Sequence, residues 1–328
     1  PPPPPPPPPP LLMIRRPPRS TLEADRRQRQ MCIRDSAGAA RAAAPESAAP
    51  FKLKYAPGFR HFKHSAGPNP IDQLKFMHDH GFRAIEDNGM MGRAPGLQQS
   101  IGDELARLDM TMGVFVLGFG MNSLTMTSNV MGENRRGQRD VQAVREEIRG
   151  TCARGIETQK RVNARWCTVV LGAHNPNLDD DYQFVNVVEN LKFACEQLEP
   201  TGLVMVLEPL NYMDHPGVYL KTVPQAYAIC KAVNHPCCKI LNDIYHQQIE
   251  IGNLINNIDR AWDETAYIQV GDVPGRKEPT TGEINYLNVF RHLHRKGYTG
   301  VVGMEHGISR PGAEGEQRLI EALSLIHI

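Results

Sequence analysis

No stretch of the chain holds anything near the ~20 consecutive apolar residues that a membrane-spanning helix needs. The body has no Lys/Arg run and no Cys-x-x-Cys pair, and no Gly-rich phosphate loop follows its first strand-like segment. Each absence closes off a class. A membrane span is excluded by length. A doubly wound nucleotide-binding sheet is disfavoured by the missing loop. Nucleic-acid binding is disfavoured by charge: residues 1–50 carry eight Arg against four Asp and Glu, so the formal +1 of the whole chain leaves the body from Phe51 at −3. The expected partner is therefore a small molecule, with no nucleic acid and no membrane; a homo-oligomer stays open. The seven cysteines are scattered, one of them in residues 1–50 and two adjacent at Cys237 and Cys238. They read as buried thiols in a reducing, cytoplasmic compartment.

The ends read differently from the middle. Ten prolines precede LLMIRRPPRSTLEADRRQRQMCIRDS. Residues 1–36 resemble the conceptual translation of sequencing-adapter read-through, and so does the tail that closes the chain, LSLIHI, from which residues 324–328 are set aside. Residues 1–50 are expected to be a disordered head, since poly-Pro and Arg-rich runs cannot bury a core. Residues 37–50, rich in Ala with Ser and Pro, read as a linker; the alternative is the remnant of an export signal, which would make the protein periplasmic. What remains, residues 51–323, is one α/β domain by length.

The body alternates short apolar runs with amphipathic stretches. Strands are expected at 52–56, 83–86, 112–117, 167–171, 203–207, 239–241, 266–270 and 301–304, each followed by a helical pattern. Two of those patterns are especially clear. Asp140 stands as an N-cap before apolar residues at 141, 144, 148, 152 and 156, and 182–198 places Phe184, Val187, Val188, Leu191, Ala194, Cys195 and Leu198 on one face. Eight βα units of about 31 residues predict a single (β/α)8 TIM barrel.

The most informative stretch is LVMVLEPLN, 203–211. Its apolar run suits a strand buried on both faces, and it ends in Glu208 before Pro209. Taken alone, Glu208 is equally a strand end pointing to water. The following strand ends also carry ligand-type residues: Asp243 and His246 in LNDIYH, Gln269 in YIQVGD, Glu305 in VVGMEHG. In a closed barrel these four ends are neighbours on the rim where barrels place their chemistry. Three carboxylates and an amide oxygen form a hard oxygen site, suited to Mg²⁺ or Mn²⁺, so Glu208, Asp243, Gln269 and Glu305 are the candidate metal ligands. By the same rim rule, Glu86 at the end of strand two and His174 at the end of strand four are candidates for lining the pocket. The polar loop 118–139 after strand three has the length of a lid.

At this point the residues carry a resemblance. The body is similar to the xylose-isomerase-like barrel superfamily of sugar isomerases and epimerases, and within it to the hydroxypyruvate isomerase family. GDVPGRKEPTTGEINY (271–286) is the sharpest match, with LNDIYHQQ, YIQVGD and GMEHG beside it. The resemblance implies Glu208 and Glu305 as the catalytic acid/base pair, Asp243 and Gln269 as further ligands, His246 beside the substrate and Arg276 as a substrate-binding residue. Related ketose epimerases have a His where Gln269 stands. The expected function is a metal-dependent isomerase of a small hydroxy-keto acid or sugar, an aldose–ketose type intramolecular oxidoreductase working by proton transfer through a metal-bound enediolate. The alternatives are a ketose 3-epimerase, a keto-inositol dehydratase, a DNA-repair nuclease on the same barrel, and a sugar-acid-binding barrel without turnover.

Overall fold

The computed structural model describes residues 48–128 and 140–324. The expectations for the head, for most of the linker, for the tail beyond residue 324 and for residues 129–139 of the 118–139 loop fall outside the described residues.

Among the described residues of the unit Pro45–Ile328 the strands are β1 (Lys54–Ala56), β2 (Ala84–Ile85), β3 (Thr111–Met112), β4 (Val114–Val116), β5 (Trp166–Val169), β6 (Val204–Leu207), β7 (Cys238–Asp243), β8 (Thr265–Val270) and β9 (Val301–Met304). Seven of them form one parallel sheet in the order β1-β9-β8-β7-β6-β5-β4, and β2 pairs in parallel with β3. Backbone hydrogen bonds just beyond β2 close the gap. The Glu86 N–H donates to the Pro57 carbonyl at 3.2 Å, and the Asp87 N–H donates to the Val114 carbonyl at 3.1 Å. β3 and β4 are thus two halves of one stave, broken at Gly113, and the nine strands make the eight staves of a closed TIM barrel.

The break has a cause on the far side of the barrel. A Cβ at Gly113 would stand 2.3 Å from the Tyr267 hydroxyl and 2.8 Å from the Ile85 carbonyl, so only glycine lets the stave pass. The barrel interior confirms closure. Ala56, Ala84, Val114, Trp166, Val206, Leu241, Tyr267 and Val301 form a cluster of their own, one residue from each stave. The larger core lies between the staves and the helices around them.

Among the described residues eight principal helices follow the staves: Pro70–Asp79, Pro95–Arg107, Val141–Val162, Asp180–Leu198, Val223–Val233, Leu254–Arg260, Tyr286–Arg295 and Gly312–Ser324. Asp140 caps the third, accepting from the Ala143 N–H at 2.9 Å. Short helices at Lys63–Ala66, Thr125–Ser128 and Ile244–Glu250 interrupt this pattern. The last of these is not expected from the sequence and matters most, because it carries His246. The six described cysteines are buried and free. Among the described residues no helix is long and apolar enough to cross a membrane.

Candidate metal and catalytic site

Barrel register brings the strand ends together. β6, β7, β8 and β9 are consecutive neighbours, with Asp243 opposite Gln269 and Gln269 opposite Gly303. Glu208, Asp243 and Glu305 therefore leave the same rim within a few residues of one another. Asp243 also caps the short helix that follows it, accepting from the Tyr245 N–H at 2.9 Å, and that turn swings His246 back toward the strand ends. The His246 Nε2 lies 3.6 Å from Asp243 Oδ2 and 3.8 Å from Glu208 Oε1. Donor atoms of Glu208, Asp243 and His246 lie within 4.8 Å of one another.

Arg276 joins the group through the loop after β8. Asp272, fully buried, folds that loop by accepting from the backbone N–H groups of Val273, Gly282 and Ile284 at 2.9, 2.8 and 3.1 Å. Gly282 is required there, since a Cβ would meet the Val273 carbonyl at 2.0 Å. The Tyr286 hydroxyl donates to the Gly271 carbonyl at 2.6 Å and closes the loop's base. So held, Arg276 sends Nη2 to Asp243 Oδ2 at 2.6 Å and to Glu305 Oε2 at 3.0 Å, while its Nε donates to the Glu305 carbonyl at 2.7 Å. Its guanidinium lies over the Tyr245 ring at 4.7 Å.

The electrostatics are those of crowded acid groups. Burial, and then the charges of Glu305 and Asp243, push the Glu208 carboxyl well above the usual carboxylate range. Burial also raises Asp243 and Glu305, with Arg276 opposing the rise in both. Burial alone would lower Arg276, but Asp243, Glu305 and Glu208 overcome it and hold the guanidinium firmly charged. Arg276 is thus the one positive group that these carboxylates share among the described residues.

Glu86 and Gln269 lie just below. The Tyr267 hydroxyl and the Gln269 Nε2 each donate to Glu86 Oε2 at 3.2 Å, and burial followed by the charge of Glu305 raises Glu86 to about 8. Gln269 spends its amide N–H on Glu86, which leaves its buried Oε1 with no hydrogen-bond partner. An orphaned amide oxygen beside buried carboxylates is what a hard cation would satisfy. Carboxylate and amide oxygens are donors of the kind a hard divalent cation takes.

His246 is a poorer ligand than its distances suggest. Its Nδ1 accepts from the Asn211 backbone N–H at 3.2 Å and from the Asn211 side-chain amide at 2.7 Å. Nε2 then carries the proton and faces the carboxylates as a donor.

His174 is not brought into this group. Its Nε2 pairs with Asp180 Oδ1 at 2.7 Å on the surface, and it lines a separate cavity with Tyr212 and Tyr219. Two residues not singled out from the sequence do join. Asn88 donates to Glu305 Oε1 at 2.7 Å, and Asn211 orients His246. The signal for both was present as an Asn just beyond a strand-end carboxylate, in IEDN and LEPLN.

Comparison with known proteins agrees with the geometry. The model of the xylose isomerase-like TIM barrel family matches residues 74–326. The chain is 31% identical to the hydroxypyruvate isomerase of Escherichia coli over 180 residues, covering 53% of this chain and 69% of that one. It is 32% identical to the 2-oxo-tetronate isomerase of Cupriavidus necator over 160 residues, covering 49% and 62% respectively. A solved structure titled AP endonuclease, family 2, from Brucella melitensis superposes with a TM-score of 0.65 at 23% identity, over 83% of this chain and 97% of that one; at that identity it speaks for the fold alone. The enzyme class read from the sequence, an isomerase, is the class that both named relatives carry.

Proposed function

This chain belongs to the xylose isomerase-like TIM barrel family, and from that premise we propose that it is a divalent-metal-dependent isomerase of a small hydroxy-keto acid, similar in reaction to hydroxypyruvate isomerase. The observation that carries the reading is the single guanidinium of Arg276 bonded to both Asp243 and Glu305. It marks one point in the barrel mouth where carboxylates from separate staves meet and where positive charge is demanded.

Glu208, Asp243, Gln269 and Glu305 are the residues that would hold Mg²⁺ or Mn²⁺. The chemistry a bound cation supplies there is polarisation of the substrate carbonyl and acidification of the adjacent C–H. One of Glu208 and Glu305 removes the proton from the hydroxyl-bearing carbon, giving an enediolate. The other delivers a proton to the former carbonyl carbon, while the hydroxyl proton passes to the other oxygen. No redox partner is needed, because the substrate is oxidised at one carbon and reduced at the next. His246, neutral and presenting Nε2–H, donates to a substrate oxygen and orients it. Burial, then the positive charge of Arg276, lowers His246 to about 2, so it does not charge near neutrality.

The same groups would serve epimerisation if the proton returned to the opposite face of the first carbon. The names of the two curated relatives favour isomerisation, and both are named for 2-keto acids. The test is proton exchange by NMR in D₂O over hydroxypyruvate, 2-oxo-tetronate and neutral ketoses, with and without Mg²⁺ or Mn²⁺. Deuterium should enter hydroxypyruvate or 2-oxo-tetronate only with metal present. Exchange on neutral ketoses alone would replace the reading with that of an epimerase, and no exchange on any would leave a binding barrel.

A further inference from the structure

A cavity of about 300 Å³ opens beside the metal site, between the ends of β1 and β2. It shares two walls with that site. Asn88 lines it and donates to Glu305, and Glu86 lines it and accepts from Gln269. The volume lies at the low end of ligand pockets, which span about 300–1,000 Å³.

Three cations line this cavity: Arg60, Lys63 and Arg93. Arg93 is engaged, paired with Asp87 at 2.5 Å and lying over the Phe59 ring at 5.1 Å. Arg60 and Lys63 have no acidic partner among the described residues. Both are exposed and both line the cavity.

Charge balance gives these two a task. Glu208, Asp243 and Glu305 would be offset by a divalent cation together with Arg276, whose guanidinium is spent on Asp243 and Glu305. A neutral sugar would leave that balance undisturbed. An acid brings one more negative charge into a mouth already crowded with carboxylates, and it needs positive charge that is not committed elsewhere.

We propose that this cavity receives the carboxylate of the substrate, and that Arg60 and Lys63 are the residues that select short keto acids over neutral sugars. The proposal rests on the isomerase reading for the identity of the reacting part of the substrate. It concerns a different part of the molecule: the reacting carbons sit at Glu208 and Glu305, and the carboxylate points to β1 and β2.

The test measures binding apart from turnover. D-glycerate, an acid with no carbonyl to isomerise, and glycerol, its neutral counterpart, are titrated calorimetrically into the full chain with Mg²⁺. Wild type should bind glycerate at least about tenfold more tightly than glycerol. Arg60→Met and Lys63→Met should each weaken glycerate binding by about tenfold and leave glycerol unchanged, while Arg60→Lys should keep most of the affinity. In turnover of hydroxypyruvate the same variants should raise KM with kcat held within about twofold. Both side chains are exposed, so the melting temperature should not move. Unchanged glycerate affinity in the double variant, or tighter binding of glycerol 3-phosphate than of glycerate, overturns the carboxylate assignment. If wild type binds glycerate through Arg60 but turns over no acid, the isomerase reading fails and the pocket stands. If it turns over hydroxypyruvate with a KM indifferent to both variants, the pocket falls and the isomerase stands.

Discussion

Asn211 holds His246 in a single tautomer. Two N–H groups of one residue, backbone and side chain, converge on Nδ1 at 3.2 and 2.7 Å. The Asn211 amide cannot simply flip, because its Oδ1 accepts from the Asp214 N–H at 2.9 Å and its Nδ2 also lies 3.0 Å from Asp214 Oδ2. A nitrogen that receives two donors carries no proton, so Nε2 is the N–H of the ring.

That arrangement is tested by Asn211→Asp. A carboxylate in this place accepts from Nδ1–H, so the ring should adopt the opposite tautomer and bare its Nε2 lone pair toward Glu208 and Asp243. Imidazole ¹⁵N shifts should change from the Nε2–H to the Nδ1–H pattern. Turnover should fall about tenfold or more, at the low end of what a positioned group contributes, and metal affinity should rise as the ring becomes able to ligate. A wild-type spectrum of the Nδ1–H form would sink the assignment.

Arg276 stands where positive charge is demanded, which makes its loss informative in the absence of substrate. Arg276→Met leaves Asp243 and Glu305 without a shared counter-charge. The side chain is a quarter exposed, so the cost should fall below the ~3–5 kcal/mol of a fully buried pair, at about 1–3 kcal/mol. Mg²⁺ or Mn²⁺ at about a hundredfold over its Kd should add about 2.7 kcal/mol to the wild type. The metal-induced rise in melting temperature should be larger in Arg276→Met. Equal rises in the two proteins would show that Arg276 and the cation do not answer the same charge.

His61 is one of three buried histidines, with His246 and His306, that burial holds below the usual imidazole range. Its Nδ1 accepts from the Gly58 N–H at 2.9 Å, and its Nε2 donates to the His306 carbonyl at 2.8 Å. Burial, and then the charge of Arg60, lowers it to about 4. A base whose folded pKa is depressed gives stability that is fully present above its unfolded pKa of about 6.5 and is lost as pH falls toward the folded value. Melting temperature should therefore drop between about pH 6.5 and pH 4, and His61→Gln should flatten part of that drop even if it lowers the plateau. A slope identical to wild type would move the source elsewhere.

The sequence exposed the staves from β6 to β9 because each buried apolar run stops sharply at a ligand-type residue. Barrel closure makes those four staves neighbours. What stayed hidden depended on contacts far along the chain. The break at Gly113 is set by Tyr267, and nothing local to MGVFVL announces it. The sequence pattern marks no helix at Ile244–Glu250, where Asp243 caps one. His174 lies five residues past the end of β5 at Val169, where Glu208 follows β6 directly, and Asp180 at the start of the next helix takes its ring nitrogen. Position along a stave is legible in a sequence; which partner claims a side chain beyond the stave is not.

The two glutamates carry the sharpest prediction. Glu208→Gln and Glu305→Gln keep size and one ligand oxygen and remove the base. Among the described residues the Glu208 carboxyl makes no hydrogen bond, with His246 Nε2 at 3.8 Å, so the amide should fit without breaking a structural contact. In Glu305→Gln the Asn88 amide still finds an oxygen, while Arg276 faces a neutral group. If both carboxylates transfer protons, each change should lower turnover by about 10²–10⁴. Metal affinity, read by titration of Mn²⁺, should fall much less. The double variant should be scarcely worse than either single one, because acid and base act as a unit. Deuterium exchange separates the roles: the variant that has lost the abstracting base should stop exchange at the hydroxyl-bearing carbon, while the other should still exchange there without forming product. Near-wild-type turnover in Glu208→Gln with metal bound would reduce Glu208 to a ligand and take the proton-transfer role from it.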